Sequence, residues 1–251
     1  MAILKPQIKG KFRMSKCSLY QVIKEDLATP WKNDPAITSR LELFTNYPGV
    51  WALVNYRIAH RLHKRNWKIL SRMIMGISQI ITNIDIHPGC KIGKRVFIDH
   101  GFGVVIGETA IIEDEVLIYQ GVTLGGVSLD KDVKRHPTIK KGAVIGGGAK
   151  VLGNIEIGEN ARVGANSVVV KSVPADCTAV GIPARVVTKG KDKSQLSHNK
   201  IPDINKQLFI YLSKRLSVLE DALLNHHEEI MLEKDKELEQ LYKDFIDTMD
   251  N

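Results

Sequence analysis

Aspartate and histidine stand side by side at Asp99–His100, and a second aspartate, Asp85, lies fifteen positions before the histidine. A carboxylate that orients an imidazole ring and stabilises its protonated form makes a general base, which can take the proton of a hydroxyl group. Asp85 can reach His100 only if the chain folds back over itself within about fifteen residues, as it does in a fold of stacked coils. This chemistry therefore depends on the period of the surrounding fold.

Histidine is also a zinc ligand, and three histidines lie in or beside this region: His87, His100 and His136. Three imidazoles make a zinc site, and one class of parallel β-helix proteins, the gamma-type carbonic anhydrases, holds zinc between subunits in that way. The three cysteines are far apart and form no CxxC pair, which argues against a zinc cluster and against a disulfide framework. We favour a site without a metal, in a reducing cytoplasm.

An aliphatic or alanine side chain returns at every sixth position over most of residues 86–173. All thirteen positions are apolar in a chain that is 43% hydrophobic, so ordinary amphipathicity explains them poorly. A period of six fits short strands and turns stacked as a parallel β-helix, with three hexads per triangular coil, better than it fits a β-sandwich. The ladder positions are Ile86, Ile92, Ile98, Val104, Ala110, Val116 and Val122, then Ile139, Ile145, Val151, Ile157, Val163 and Val169.

This period also predicts where the acid–base pair lies. Fifteen residues are nearly one coil of eighteen, so Asp85 is expected near His100 on the neighbouring level. Glycine often follows the aliphatic position, as at Ile92-Gly93, and suits a sharp corner. A narrow prism holds little besides its aliphatic stacks, so a bulky or charged residue on the ladder should destabilise the fold.

A helical domain is predicted over residues 1–83. Asp34-Pro35 is typical of a capped helix start, which predicts a helix from Asp34 to Phe44 and makes Asp34 a cap. Two further helices are expected, over residues 50–64 and 70–81. Their apolar faces would carry Trp51, Val54, Ile58 and Leu62 in the first, and Leu70, Ile74, Ile77, Ile80 and Ile81 in the second.

The stretch GGVSLDKDVKRHPT interrupts the repeat and is too long and too polar for a corner. Loops that interrupt a rigid solenoid often carry binding residues, and this one carries Arg135 and His136. The β-helix domain is predicted over residues 84–190, and a linker with a helical tail over residues 191–251. The tail has a heptad-like seam that could pack on the body or pair with other tails: Leu212, Leu216, Leu219, Leu223, His226 and Ile230.

The composition of the chain limits the classes of ligand and partner that it is expected to bind. The formal net charge of +8 favours anionic ligands such as a phosphate-bearing cofactor. No zinc-finger spacing or RNA-binding aromatic motif occurs, so nucleic acid is not expected. No run reaches the roughly 18 apolar residues of a membrane span, and no membrane contact is expected. Residues 1–13 are basic but lack the apolar core of a signal peptide, and we assign them no role.

Several motifs resemble those of the serine O-acetyltransferases, the family that begins the two-step route to cysteine. The likeness covers roughly residues 30–190 and includes DHGFGVVIGET and KRHPTI, which are far more specific than the hexapeptide repeat. It implies a mainly β fold with α-helices, in which a small helical domain precedes a left-handed parallel β-helix. The left hand comes from the resemblance alone, because parallel crossovers are usually right-handed. The helical tail follows this β-helix.

The resemblance implies transfer of acetyl from acetyl-CoA to the hydroxyl of L-serine, with no metal and no covalent acyl-enzyme. His100 would be the general base and Asp85 its partner. Asp34 changes from a cap to a ligand in this interpretation. The remaining residues would be Asp34 and Asp99 at the substrate amino group, Arg135 and His136 at its carboxylate, and Gly126, Gly147 and Ala165 along the acetyl-CoA groove between neighbouring prisms.

The resemblance further implies a homotrimer or a dimer of trimers, with L-cysteine as feedback inhibitor in the serine site. Many family members bind O-acetylserine sulfhydrylase through a terminal isoleucine, but this chain ends in Asn251, so that complex is not expected. The alternatives are a hexapeptide acetyltransferase acting on a sugar or xenobiotic hydroxyl, and a scaffold without catalysis. A sugar-acetylating enzyme has no reason to surround a zwitterion with opposite charges.

Overall fold

The computed structural model describes residues 18–130, 133–189, 204–225 and 238–240. Helices precede and follow a long series of very short strands. The helices are α1 (Leu19–Asn33), α2 (Arg40–Thr45), α3 (Pro48–Lys64), α4 (Lys68–Thr82) and α5 (Ile204–Asn225). The strands are β1 (Asp85–Ile86), β2 (Lys91–Ile92), β3 (Phe97–Ile98), β4 (Val105–Ile106), β5 (Ile111–Ile112), β6 (Leu117–Ile118), β7 (Thr123–Gly125), β8 (Thr138–Ile139), β9 (Val144–Ile145), β10 (Lys150–Leu152), β11 (Glu156–Ile157), β12 (Arg162–Val163), β13 (Val168–Val169), β14 (Cys177–Gly181) and β15 (Ala184–Lys189).

The strands form three sheets, which are the faces of a triangular prism. The chain passes from face to face, so the sheets have the orders β1-β4-β7-β10-β13, β2-β5-β8-β11 and β3-β6-β9-β12-β14-β15. All pairings are parallel except the last, in which β15 lies antiparallel to β14. All thirteen predicted ladder positions are in the core, with at most 2% of their surface exposed. The predicted parallel β-helix is therefore confirmed.

The ladder nevertheless changes phase after Ile98. Ile98 is the second residue of β3, but the corresponding residue of β4 is Ile106, whereas Val104 fills the corner before β4. Asp85 pairs with Val105, twenty residues later, so the first coil is longer than the expected eighteen. Two extra residues in the corner between β3 and β4 account for the difference. The unbroken count of six hid this insertion, because a corner side chain and a strand side chain are both buried and apolar.

Helix α3 covers the open end of the first coil, where backbone carbonyl groups have no strand to pair with. The Tyr56 hydroxyl donates to the carbonyl of Cys90 at 2.8 Å, and Arg57 donates to the carbonyl of Ile92 at 2.6 Å. Asp26 of α1 pairs with Arg57 at 2.8 Å, and both side chains are buried. The helical domain thus caps the prism with hydrogen-bond donors held by a buried ion pair.

The apolar faces predicted for α3 and α4 lie largely in solvent in the single chain. Ile58 of α3 is 41% exposed, and Ile80 of α4 is 85% exposed. The side of α4 that is buried carries mainly small polar residues, Ser71, Met75, Ser78 and Thr82. Helix α3 turns its donors toward the prism because a buried carbonyl without a partner costs about 1–3 kcal/mol.

The helix start expected at Asp34 is wrong. Helix α1 continues through Pro30 to Asn33, and Asp34 is its C-terminal cap residue, with its N–H bonded to the carbonyl of Pro30. Helix α2 begins later, after Ser39, whose hydroxyl accepts from the backbone N–H of Glu42. A serine followed three residues later by glutamate is a strong start signal, and it prevails over the Asp-Pro pair.

Part of the predicted tail is described as helix α5. Leu212, Leu216 and Leu219 of the seam are 45%, 61% and 48% exposed, so the single chain does not cover them. None of the described helices is long and apolar enough to cross a membrane. Outside the described residues lie residues 1–13, the linker at 191–203, His226 and Ile230 of the seam, and the terminal Asn251.

Candidate active site

The corner between β3 and β4, residues 99–104, carries the predicted base, and we call it the His100 corner. His100 has a φ of 57°, in the left-handed region that residues other than glycine seldom adopt. Gly101 and Gly103 follow with φ values of 76° and 72°. Such backbone persists where surrounding contacts enforce it, often at functional sites. The two inserted residues carry His100 out of the ladder, so its imidazole is exposed at the surface.

Two carboxylates and two tyrosines lie around this corner. Burial raises the pKa of Asp99, and the nearby carboxylate of Asp34 raises it further, while His100 acts in the opposite direction. The Tyr47 hydroxyl donates to Asp34 at 2.5 Å; burial and this bond raise the Tyr47 pKa and keep the hydroxyl protonated. Tyr119 is close enough for Asp99 to raise its pKa as well, after burial.

This acidic group has no basic side chain within salt-bridge distance in the described part of the chain. Asp34 accepts from the hydroxyl of Tyr47 and from the backbone N–H of Ala36 at 2.8 Å, both neutral donors. Two like charges close together, partly shielded from water, favour a bound cation. The His100 corner can therefore hold an ammonium group beside an exposed imidazole.

Asp85 lies directly below the His100 corner. It begins β1, and its backbone N–H donates to the carbonyl of Val104, the last residue of the corner, at 2.9 Å. Its side chain is half-buried, and no hydrogen bond joins it to His100 among the described residues. The two residues thus occupy adjacent levels at one edge of the prism. Their pairing as base and partner stays a prediction.

A second corner carries the predicted carboxylate ligands. It comprises residues 107–110, between β4 and β5, and the loop residues 126–130 and 133–137 above them; we call it the His136 corner. Arg135 donates to the carboxylate of Glu108 at 3.0 Å and to the carbonyl of Asp130 at 3.1 Å. His136 is 8% exposed, and its pKa is lowered by burial and by the positive charge of Arg135.

A cavity of about 720 Å³ opens beside the His136 corner. Its charged lining includes Lys91, Lys134 and Arg135, against the single carboxylate of Glu108. Burial and the charge of Lys91 lower the pKa of Lys134. The electrostatic character of this corner is therefore opposite to that of the His100 corner, and it favours an anion.

The two corners stand at opposite ends of one face, the one formed by β1, β4 and β7. One side of the prism is a hexad, and six extended residues span at most about 20 Å. No hydrogen bond or ion pair between described residues connects the two corners. The structure thus brings Asp34, Asp99 and His100 together and, separately, Arg135 and His136, but it does not bring these two groups into contact within one chain.

The predicted acetyl-CoA residues are divided in the same way. Gly147 and Ala165 belong to the coils stacked above the His100 corner, where the N–H of Asn166 donates to the carbonyl of Gly147 at 2.8 Å. Gly126 belongs to the His136 corner, because a Cβ there would lie 3.1 Å from Arg135 and 3.2 Å from His136. Residues from both corners can line one groove only where two prisms meet.

Four residues of these corners were missed in the sequence analysis: Tyr47, Glu108, Thr109 and Tyr119. Glu108 and Thr109 stand inside the motif GVVIGETA, which is a usable signal because polar residues there interrupt an apolar run. Tyr47 and Tyr119 carry no comparable signal. Tyr47 bonds to Asp34, and Tyr119 comes close enough for Asp99 to raise its pKa, only because the fold brings distant parts of the chain together.

The three histidines of the zinc interpretation are divided between the corners. His87 lies at the turn after β1, on the edge of the His136 corner, and His100 lies at the other edge. In the part of the chain that the structure describes, no three His, Cys, Asp or Glu side chains are grouped so that they could hold a metal ion.

Residues 136–171 match the family model described as bacterial transferase hexapeptide (six repeats). A serine acetyltransferase of Synechococcus elongatus is 47% identical over 206 residues, which are 82% of this chain and 84% of that protein. A serine acetyltransferase of Bacillus subtilis is 46% identical over 213 residues, which are 84% of this chain and 98% of that protein.

Solved structures agree with these relatives. Soybean serine acetyltransferase complexed with serine has a TM-score of 0.65 at 44% identity, covering 68% of this chain and 70% of that one. A serine acetyltransferase in complex with cysteine has a TM-score of 0.69 at 39% identity, covering 74% and 72%. The Brucella abortus enzyme in complex with coenzyme A has a TM-score of 0.64 at 39% identity, covering 68% of each chain.

These comparisons confirm the predicted fold class, a left-handed parallel β-helix preceded by a helical domain. The identity, well above 30% over more than two thirds of the chain, places the chain in the family of serine acetyltransferases, acyltransferases that use acetyl-CoA as the acetyl donor.

Proposed function

We propose that His100 is the general base in the reaction of this family, transfer of acetyl from acetyl-CoA to the hydroxyl of L-serine. The observation that carries the assignment is the exposed imidazole of His100 beside two carboxylates, Asp34 and Asp99, that form no ion pair with a lysine or arginine among the described residues. The serine ammonium group would bind these carboxylates. Arg135 and His136 would bind the carboxylate of the same serine molecule, because a zwitterion needs opposite charges in the site at its two ends.

The chemical step uses His100 as a proton carrier. Its imidazole accepts the proton of the serine hydroxyl while the hydroxyl oxygen bonds to the acetyl carbonyl carbon. The proton then passes to the CoA sulfur as the carbon–sulfur bond breaks, so that O-acetyl-L-serine and CoA leave and His100 is regenerated. Asp85, one level below, would stabilise the imidazolium that forms in between. The acetyl group needs no covalent attachment to the protein.

Acetyl-CoA would supply the acetyl group from a groove along the coils above His100. Small residues line this surface: the flexible side chain of Gln120 covers Gly147, where a Cβ would lie 2.9 Å from its amide, and Ala165 follows on the next level. An extended pantetheine arm fits such a surface, since exposed backbone groups can hydrogen bond to its amides. Gly126 would line the opposite side of the groove, from a neighbouring prism.

The assembly we propose is a trimer in which the His100 corner of one chain faces the His136 corner of the next. The support is the separation of the two charged groups in a single chain, since neither alone matches a zwitterion. A ring of three identical contacts closes by rotation and makes three equal sites. A dimer of such trimers would keep the same sites.

Mixing two variants, one impaired in kcat and the other in its serine KM, tests this assembly when activity is assayed at low serine. His100→Ala and Arg135→Ala chains, coexpressed with different tags and purified together, should regain activity, because about a quarter of randomly mixed interfaces in a three-fold ring combine two intact corners. The control is the same two proteins mixed without subunit exchange. Activity of the mixed oligomers no higher than the sum of the parents would show that one chain supplies both corners.

Acceptor competition tests the substrate. Release of CoA thiol should require L-serine, and galactosides and chloramphenicol should not replace it. Activity on a sugar or on chloramphenicol, with none on serine, would overturn the assignment, and no thiol release with any acceptor would indicate a scaffold.

We further propose that L-cysteine competes with serine for the same charged groups. We also propose that the enzyme works in the cytoplasm, where the buried free thiols of Cys90 and Cys177 stay reduced.

A further inference from the structure

Thr109 lies beneath the two predicted carboxylate ligands and contacts both. Its hydroxyl oxygen accepts the backbone N–H of Arg135 at 3.0 Å and the backbone N–H of His136 at 3.1 Å. The two ligands follow the loop that interrupts the repeat, so this one oxygen fixes the backbone at the point where the chain re-enters the prism. No group in the reaction described above requires a hydroxyl at this position.

The same residue determines how His136 is protonated. The backbone N–H of Thr109 points at Nδ1 of His136 at 3.2 Å, and the Thr109 hydroxyl lies 2.9 Å from the same nitrogen. A backbone N–H can only donate, so Nδ1 must be an acceptor and carry no proton. The hydroxyl oxygen already accepts two N–H groups, which leaves its own proton free to bond Nδ1.

The proton of the neutral ring must then be on Nε2. This nitrogen lies against two glycines: a Cβ built on Gly107 would come within 2.0 Å of it, and one on Gly126 within 3.2 Å. Burial and the neighbouring Arg135 lower the pKa of His136, which acts in the same direction as the N–H of Thr109 in favouring the neutral ring. A neutral ring with its proton on Nε2 is a hydrogen-bond donor on the side away from Thr109.

We propose that Thr109 is a positioning residue for substrate binding: it holds His136 in the tautomer with the proton on Nε2 and sets the spacing of His136 and Arg135. This inference rests on the proposed function, in which these two residues bind the carboxylate of serine. A carboxylate can only accept hydrogen bonds, so the opposite tautomer would present a lone pair to it and repel it. A substrate without a carboxylate would not need Thr109.

Two substitutions separate the hydroxyl from the shape of the side chain. Thr109→Val removes the hydroxyl at nearly constant volume, and Thr109→Ser keeps it. We expect Thr109→Val to raise the KM for serine and the inhibition constant for cysteine about tenfold or more, with a smaller change in kcat, since bonds to a charged group are weakened. Thr109→Ser should stay within about threefold of the parent. Thr178→Val, at a half-buried threonine of β14, is the matched control and should change neither constant.

Nitrogen NMR of histidine-labelled protein gives a readout that a purely structural role would not move. The His136 signals, identified by their absence in His136→Gln, should show an unprotonated Nδ1 and a protonated Nε2 in the parent and in Thr109→Ser. Thr109→Val keeps the backbone N–H at Nδ1 but loses the hydroxyl bond to it, so it should weaken the preference for the proton on Nε2 and give a mixture of the two tautomers. A parent spectrum with the proton on Nδ1 overturns the proposal even if Thr109→Val does not fold, and so does an unchanged serine KM in a folded Thr109→Val. Absence of serine acetylation by the parent protein would refute the proposed function instead, while the tautomer measurement would still test Thr109.

Discussion

The His100 corner and the His136 corner interrupt the same repeat in different ways. The first has two extra residues and turns by left-handed backbone at His100, Gly101 and Gly103, and its charge is negative. The second has a long loop, so that Ile111 pairs with Thr138 twenty-seven residues later, and its charge is positive. The regular coils hold the buried core, and the residues that we propose for the chemistry lie where the period is interrupted. Substitution of His100 in the first corner should therefore affect the chemical step, whereas substitutions in the His136 corner should affect substrate binding.

The largest expected effect is at the His100 corner. His100→Ala should lower kcat by about 10²–10⁴, the usual contribution of a general base, without changing the melting temperature, because the side chain is exposed. His87→Ala, at a histidine of the other edge, is the control and should keep kcat near the parent value. Steady-state rates of CoA release with saturating serine measure both.

The partner carboxylate should matter less than the base itself. Asp85→Asn should reduce kcat by a smaller factor than His100→Ala, because the imidazole stays in place and loses only the stabilisation of its charged form. A His100→Ala enzyme with the parent rate would rule out this mechanism. An Asp85→Asn enzyme slower than His100→Ala would reverse the two roles.

At the His136 corner we expect changes in KM. Arg135→Ala should raise the KM for serine about ten- to a hundredfold, since hydrogen bonds to charged groups contribute about 1.5–3 kcal/mol. Asp34→Asn at the other corner should raise the serine KM by a similar factor, because the proposed role of Asp34 is to bind the ammonium end of the same molecule. An Arg135→Ala enzyme with normal serine KM and reduced kcat would contradict the division of labour between the corners.

A smaller effect on the serine KM is expected when the glycines that make room for the His136 ring are replaced by alanine. A Cβ on Gly107 would lie 2.0 Å from the His136 ring, whereas one on Gly126 would lie 3.2 Å from it. Gly107→Ala must displace the ring and should raise the serine KM roughly tenfold, the loss of about one charged hydrogen bond. Gly126→Ala, the graded control, should do so by only a few-fold. Equal effects would show that the ring position does not limit binding.

The smallest expected effect is on the pH dependence of binding. The pKa of Asp99 is raised by burial and by Asp34, so the carboxylate is lost at a higher pH than the usual value of about 4. Affinity for L-cysteine should therefore fall as the pH is lowered through this raised pKa. Calorimetry in a His100→Ala background avoids titration of the imidazole. Adding Asp34→Asn should move the fall to lower pH, and a shift to higher pH would show that the two carboxylates do not interact.

Much of the fold could be predicted because it depends on a local repeat. The interior of a narrow prism accepts little besides aliphatic side chains. The burial of Ile86, Ile139 and the other ladder residues could therefore be predicted from their residue types and six-residue spacing. The adjacent Asp99 and His100 could be found for the same reason, since polar residues stand out against such a ladder. The left hand, by contrast, came only from the resemblance to a family.

Tertiary structure decided what depends on contacts between distant residues. Insertion of two residues after Ile98 does not disturb the count of six, so only strand pairing reveals it. Helix α3 directs Tyr56 and Arg57 toward the prism because backbone carbonyl groups of the first coil need hydrogen-bond donors. The sequence of the helix alone does not show that these carbonyl groups lie beside it. Thr109 meets His136 across twenty-seven residues. Its hydroxyl acquires a role only when the coils stack, because hydrogen bonds between levels depend on how many residues each corner and loop contains.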